Sequence, residues 1–549
     1  MSLKMSPILE VPELTAQIAW AAFPNGNNYM QMRDELGVFY ADHQFVDLFS
    51  YTGQPAIAPW RLALVTLMQF AENLTDRQAA DAVRGRIDWK YALGLEMTDP
   101  GFHYSVLSEF RGRLIEGGQE ELLLQGMLDC FKEKQLLNAR GKQRTDSTHI
   151  LMAVRELNRL ELVGETLYHT LNVVAEVAPV WLQQQITPDW FKRYGQRMCE
   201  ARLPDKDVDR DEFALVIGYD GQHLLEQLYA TPDELAYLRT LPAVQTLRQI
   251  WLQQYCWQNG ELQWRKRHEH GMPPAAITLI SPYDLDARYS EKRGMSWLGY
   301  KVHLTETCDE DDVHLITHVE TTSADVPDNH VVEPIHAALA ERDLLPDLHL
   351  VDAGYPDGEN LVDSQTDYQV TLYGPVRPDN SWQARAQNGY GASHFQIDWD
   401  IPRATCPQGK TSYHGKAGLD PSKRPITRFV FREVDCAMCQ AKALCTTGKA
   451  RYLTLLPQAQ HATLQTARQR QRTEAFKETY NRRAGVEGTI SQAVQALTMR
   501  RSRYRGEAKT HLQHVATAAA MNLMRVINWL NGLPLSETRK SRFAQLAPA

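Results

Sequence analysis

Three acidic residues sit in segments whose neighbours suit chemistry on a phosphate. Asp146 lies in RTDSTHI, a β-branched polar stretch that reads as a strand. A carboxylate buried there is costly unless it is paired or holds a cation, although an Asp before Ser-Thr also serves as a turn or cap. Asp352 ends the apolar run LHLV and precedes Ala-Gly-Tyr, the position at which an α/β sheet presents residues to a ligand. Glu487 falls in YNRRAGVEGTISQAV, where Tyr480, Arg483 and Glu487 are spaced i, i+3 and i+7 and so share one helix face. A core-facing stripe would be apolar; this one carries an aromatic ring, a cation and a carboxylate. An exposed Arg-Glu helix pair is the plainer reading of that segment alone. Two strand-borne aspartates and a helical glutamate can converge, and three carboxylates can hold two Mg²⁺ or Mn²⁺ ions about 3.5 to 4 Å apart for an in-line phosphoryl displacement.

A second constellation is made of sulfur. Cys406, Cys436, Cys439 and Cys445 fall within about forty residues of Gly- and Pro-rich sequence, which suits a tetrahedral structural Zn²⁺ site. Cys436 and Cys439 have knuckle spacing, whereas Cys406 and Cys445 stand in a less regular relation, which leaves disulfides or free thiols as the alternative. Cys130, Cys199, Cys256 and Cys308 read as isolated packing residues.

The elements that must position these groups divide the chain. Residues 1–138 read as a helical N-terminal domain, and within it LTDRQAADAVRGRIDWKYALGL, with Thr75 and Asp76 as cap, suits either a helix-turn-helix or plain helical packing. Residues 139–155 carry the Asp146 strand. Residues 156–275 return to helical periodicity with almost no strand signal and read as an insertion. In 276–378, WLGYKVHLTET and DVHLITHVETT flank an acidic turn as an antiparallel hairpin, followed by a helix and the LHLV strand, the layout of an α/β layer. Residues 379–452 form a Cys-rich second insertion, 453–532 are helical, and 533–549 read as a disordered polar tail.

The segments RTDSTHI, SPYDLDARYSEKRGMSWLGYKVHLTET and LVDAGYPDGENLVDS, with the Tyr-x2-Arg-x3-Glu arrangement at 480–487, resemble bacterial insertion-sequence transposases with an RNase H-like DDE domain. The resemblance implies an α/β fold with an RNase H-like mixed sheet, interrupted by the helical and Cys-rich insertions. It implies Asp146, Asp352 and Glu487 as the catalytic, metal-holding triad, and Tyr480 and Arg483 near transposon-end phosphates. Related transposases continue the motif with a Lys or Arg seven positions after the Glu; here that position is Val494. Basic contacts to DNA then fall to Arg500, Arg501, Arg503 or Arg505. Asp286, Arg288 and Lys301 read as a structural salt bridge, with support of the active site as the alternative, and His149 as packing.

Bulk properties agree with this reading. Between Arg468 and Lys509 eleven Lys or Arg stand against four Glu, a local balance of +7 within a chain of net charge −8, so the rest carries −15. Basic charge is concentrated where a phosphate backbone could use it. No apolar run approaches the ~20 residues that cross a bilayer, and MSLKMSPILEVPELT lacks a secretory core, so a bacterial cytoplasmic location is expected. The expected partners are double-stranded DNA, as terminal inverted repeats and as target, and a second copy of the chain in a homodimer. A nuclease without strand transfer, a non-catalytic DNA-binding descendant and a tyrosine recombinase using Tyr480 are the alternatives.

Overall fold

The computed structural model describes residues 2–5, 10–292, 294–310, 312–386 and 388–533; of the tail expected to be disordered, residues 534–549 lie outside these. Its centre is a six-stranded mixed sheet. The long strand Met295–Thr307 pairs antiparallel with Arg288–Lys292, Ile316–Ser323 and Lys142–Leu151; the last of these pairs in parallel with Leu348–Val351, and that strand in turn with Thr371–Tyr373. This is a mixed α/β architecture consistent with the RNase H-like transposase fold. The expected hairpin and LHLV strand are present, and Arg288–Lys292 extends the hairpin by a strand.

One helix decides how the sheet is covered. Glu507–Leu530 begins after Gly506, whose φ of +87° suits glycine, and its run Ala518-Ala519-Ala520 is fully buried. It packs on Ile316–Ser323 on one side and on the N-terminal helices Pro59–Ala71 and Leu122–Glu133 on the other. Small side chains let three layers approach, so the N-terminal helices and the sheet share one hydrophobic core.

The helical insertion has its own core, from Leu160 to Leu279. Here the structure corrects the all-helical expectation: Tyr255–Gln258 and Glu261–Trp264 form a β-hairpin around Asn259-Gly260, both at positive φ. A small core around Phe395, Phe429, Phe431 and Leu453 underlies the cysteine segment, whose strands Lys416–Leu419, Pro425–Val430 and Tyr452–Leu455 form a three-stranded sheet. The helix-turn-helix candidate comprises Asp76–Gly85, capped by Thr75 and Gln78, and Ile87–Leu93, with Arg86 alone between them.

Beneath the sheet's functional end lies a buried carboxylate with no solvent exposure, Glu306, directly across from Arg144 in the strand register. Arg144 Nε donates to Glu306 Oε1 at 2.8 Å, while Arg525 Nη1 and Thr489 Oγ1 donate to Oε2 at 2.8 and 2.6 Å. Burial opposes ionisation of Glu306, but Arg525 and Arg144 outweigh it and hold the carboxyl below its ordinary value. A depressed carboxylate contributes stability that is complete above its unfolded pKa and is lost as pH falls through the folded one. Replacing Glu306 by Leu strands two guanidiniums, so a loss of roughly 3–5 kcal/mol in denaturant unfolding is expected. The difference between parent and Glu306→Leu should shrink as pH is lowered below the ordinary carboxylate range; an unchanged difference there would refute the charge-based account.

Candidate active site

The two aspartates meet through strand register. Thr145 pairs with Val351 in parallel, so Asp146 and Asp352 occupy the next step on adjacent strands, where the pairing ends. Asp352 Oδ1 accepts from the Ala353 N–H at 2.6 Å and Asp146 Oδ1 from the Ser147 N–H at 2.8 Å, contacts that fix both carboxylates beside the backbone. Behind them Tyr355, fully buried, meets His303 Nδ1 at 2.7 Å.

Glu487 arrives differently from the sequence expectation. Tyr480, Arg483 and Glu487 do not lie on one continuous helix: Glu474–Asn481 gives way to a 3-10 turn, Arg482–Ala484, before Gly485–Ala496 resumes. Arg144 explains the break. Its Nη1 donates to the Arg482 carbonyl at 2.6 Å, and a Cβ at Gly485 would stand 2.2 Å from that nitrogen. The turn is therefore drawn onto the guanidinium, and glycine alone leaves room for it.

The three motif residues still converge. Arg483 Nη1 contacts Asp146 Oδ2 at 2.7 Å and Nη2 contacts Glu487 Oε1 at 2.9 Å, so one guanidinium bridges strand and helix. Burial pushes the Asp146 carboxyl above the usual carboxylate range and the Asp352 charge adds to this, while Arg483 and the Ser147 N–H act against it. Tyr480 lies under Arg483, 5.6 Å from ring centroid to guanidinium, and continues a stack through Phe476 to Tyr373 on the edge strand, with centroid spacings of 5.5 and 4.8 Å. That stack seats the helix on the sheet.

Among the described residues no group of three or more His, Cys, Asp or Glu side chains is disposed to hold a metal ion. At the carboxylates the guanidinium occupies the space between Asp146 and Glu487. The donor chemistry fits all the same: carboxylate oxygens suit Mg²⁺ or Mn²⁺. The four clustered cysteines are free thiols lining one cavity, a soft donor set that suits Zn²⁺.

The basic residues separate by what they already touch. Arg500 Nη1 donates to Thr148 Oγ1 at 2.8 Å and to the His149 carbonyl at 2.8 Å, and also meets His149 Nδ1 at 2.9 Å, which ties it to the Asp146 strand. Arg503 reaches Asn73 and the Leu74 carbonyl in the turn between the N-terminal helices Pro59–Ala71 and Asp76–Gly85. Arg501 and Arg505 are exposed. The salt bridge expected among Asp286, Arg288 and Lys301 does not form: Lys301 pairs with Asp328 at 3.0 Å, Arg288 donates to backbone carbonyls and Asp286 accepts from the Glu507 N–H. A helix N-terminus satisfies Asp286 better than a distant cation would.

Two protein-family models match the chain: one described as Transposase DDE domain, over residues 405–527, and one described as Transposase domain (DUF772), over residues 21–113. Both matches support an insertion-sequence DDE transposase. Glu487, Arg483, Tyr480 and the cysteine cluster fall inside the first span, while Asp146 and Asp352 lie between the two. No curated protein and no solved structure matches. Among the described residues no helix is long and apolar enough to cross a membrane.

Sequence reasoning missed the Arg144, Glu306, Thr489 and Arg525 group; the one local signal was an arginine two residues before Asp146. The Arg483 bridge carries a direct expectation. A cation held at the carboxylates repels a second one, so Arg483→Ala should bind Mn²⁺ about an order of magnitude more tightly than the parent in a calorimetric titration. Unchanged or weaker binding would show that the bridge does not compete with metal.

Proposed function

We propose that the chain is an active transposase that cleaves the ends of an insertion sequence and joins them to target DNA, with Asp146, Asp352 and Glu487 holding two divalent ions, Mg²⁺ or Mn²⁺. The observation that carries this reading is the Arg483 bridge. It gathers Asp146 and Glu487, 341 positions apart, at the strand step where Asp352 stands. When bound, the ions would supply electrostatic stabilisation of the charge that develops at a phosphate undergoing displacement.

The chain's own residues do the positioning. Ser147 and Ala353 N–H groups orient the aspartates so that each keeps an oxygen directed away from its backbone contact. Arg483, which contacts Asp146 and Glu487 here, would be positioned to contact a DNA phosphate, with Tyr480 beneath it as a fixed platform. Arg501 and Arg505 add exposed positive charge, and Arg500 braces the Asp146 strand. The N-terminal helices contribute to DNA binding and assembly, and a homodimer holds the two ends. The four cysteines would hold one structural Zn²⁺, closing a segment whose small core would be marginal alone.

Asp146→Asn, Asp352→Asn and Glu487→Gln should each abolish Mg²⁺-dependent cleavage and joining of the element's ends while retaining DNA binding. Activity surviving in any of them removes that residue from the triad. Cleavage without joined products in the parent would make the protein a nuclease, and binding without either would make it a non-catalytic descendant. Cys436→Ser/Cys439→Ser should lose zinc by elemental analysis and become protease-sensitive within residues 379–452; full zinc content in this variant would refute the site.

A further inference from the structure

A cavity of about 460 Å³ opens where the helical insertion meets the basic segment after Arg500, lined by Arg155, Arg197, Arg503, Arg505, Tyr283 and Glu165 among others. It lies past the end of the Asp146 strand: Leu151 N–H donates to the Arg500 carbonyl at 2.9 Å and Ser502 N–H to the Leu151 carbonyl at 2.8 Å, so the basic segment runs beside that strand into the cavity wall. At the rise of a strand, Asp146 and the cavity's first residues, Ala153 and Val154, are separated by roughly 25 Å.

The chemistry of the lining is specific. Arg197 and Arg505 both lie against the Tyr283 ring, at 5.5 and 5.3 Å from its centroid, and neither has a carboxylate partner among the described residues. Arg155 is paired with Glu161, and Arg503 is spent on the N-terminal helices. The Tyr283 hydroxyl donates to Glu165 Oε2 at 2.6 Å, which fixes the ring beside the two guanidiniums. Glu165 is 2% exposed, yet its other oxygen, Oε1, is buried without a partner. An occupant must therefore bring negative charge for the exposed arginines and a hydrogen-bond donor for the buried carboxylate. A nucleotide supplies both, through its phosphate and the N–H groups of its base. In a paired duplex the Watson–Crick donors are already engaged, and Glu165 lies too deep for a groove edge to reach.

We propose that this cavity binds one unpaired nucleotide of a DNA strand, its phosphate on Arg197 and Arg505 and its base N–H on Glu165, roughly seven nucleotides at duplex rise from the phosphate at the carboxylates. The proposal rests on the transposase reading and adds a strand-separated contact to it.

The test uses full-length protein carrying Asp146→Asn, so that DNA stays intact. Its affinity is measured by fluorescence anisotropy for a short labelled duplex that is blunt, has a single-stranded cytidine overhang, or has an abasic overhang of equal length. The overhang should bind about tenfold more tightly than the blunt duplex, and the abasic overhang should fall between them. Adding Arg197→Ala/Arg505→Ala, both exposed and so compatible with an unchanged melting temperature, should bring the overhang to the blunt level. The log–log salt slope should become shallower by about 1.4, the value for two single-strand phosphate contacts. Equal binding of overhang and blunt duplex by the Asp146→Asn protein, or an unchanged slope in the triple variant, overturns the cavity proposal and leaves the transposase reading standing. Failure to bind any DNA overturns both.

Discussion

Glu306 is a carboxylate fully buried from solvent, and the arrangement of the candidate site follows from the need to neutralise it. Ionised carboxylate in that position is tolerable only with two guanidiniums and a hydroxyl in contact. Those partners come from three separate parts of the chain: Arg144 from the strand that carries Asp146, Thr489 from the helix that carries Glu487, and Arg525 from the last long helix. Satisfying one buried charge thus sets the position of two of the three candidate catalytic elements. Arg144 has a second consequence, because its remaining nitrogen takes the Arg482 carbonyl and excludes a side chain at residue 485. The helix breaks there, and the break aims Arg483 back toward Asp146.

The same logic of compensation extends to the surface of the site. Asp146 is partly buried beside Asp352, two like charges at the same step of two parallel strands, and this is unfavourable unless a cation is near. Arg483 is that cation in the structure described. A site that needs positive charge to keep its carboxylates ionised is also one in which a divalent ion and a guanidinium compete. The fixed stack beneath Arg483, through Tyr480 and Phe476 to Tyr373, gives the guanidinium a surface to rest on in either position.

How much of this was legible in the sequence depends on the range of the interaction. Strands were legible where alternation or a short apolar run is local, as at RTDSTHI and LHLV, and so was the hairpin over WLGYKVHLTET and DVHLITHVETT. The Tyr255–Trp264 hairpin was equally open to reading, since Asn259-Gly260 is a strong two-residue turn signal, but helical periodicity on both sides masked it. The helix break at 482–484 was not legible, because its cause is Arg144, more than three hundred residues earlier. Asp286 misled for the opposite reason. Charge pairs can be drawn between any nearby acidic and basic residues, whereas the N-terminus of Glu507–Leu530, which accommodates Asp286, is visible only in the fold.

The last long helix shows why the N-terminal helices cannot be treated as an appendage. Its alanines are buried from both sides, so the sheet would expose a broad apolar face if the N-terminal layer were absent. Arg503, in the basic segment leading into that helix, also reaches Asn73 and Leu74 and lies 4.9 Å over the Phe70 ring. A displacement of the N-terminal helices would therefore be registered, through packed side chains and one arginine, at the segment that runs beside the Asp146 strand. The physical continuity from an N-terminal contact to the carboxylates is a shared core, and a core of this kind transmits displacement because it has no free volume in which to absorb it.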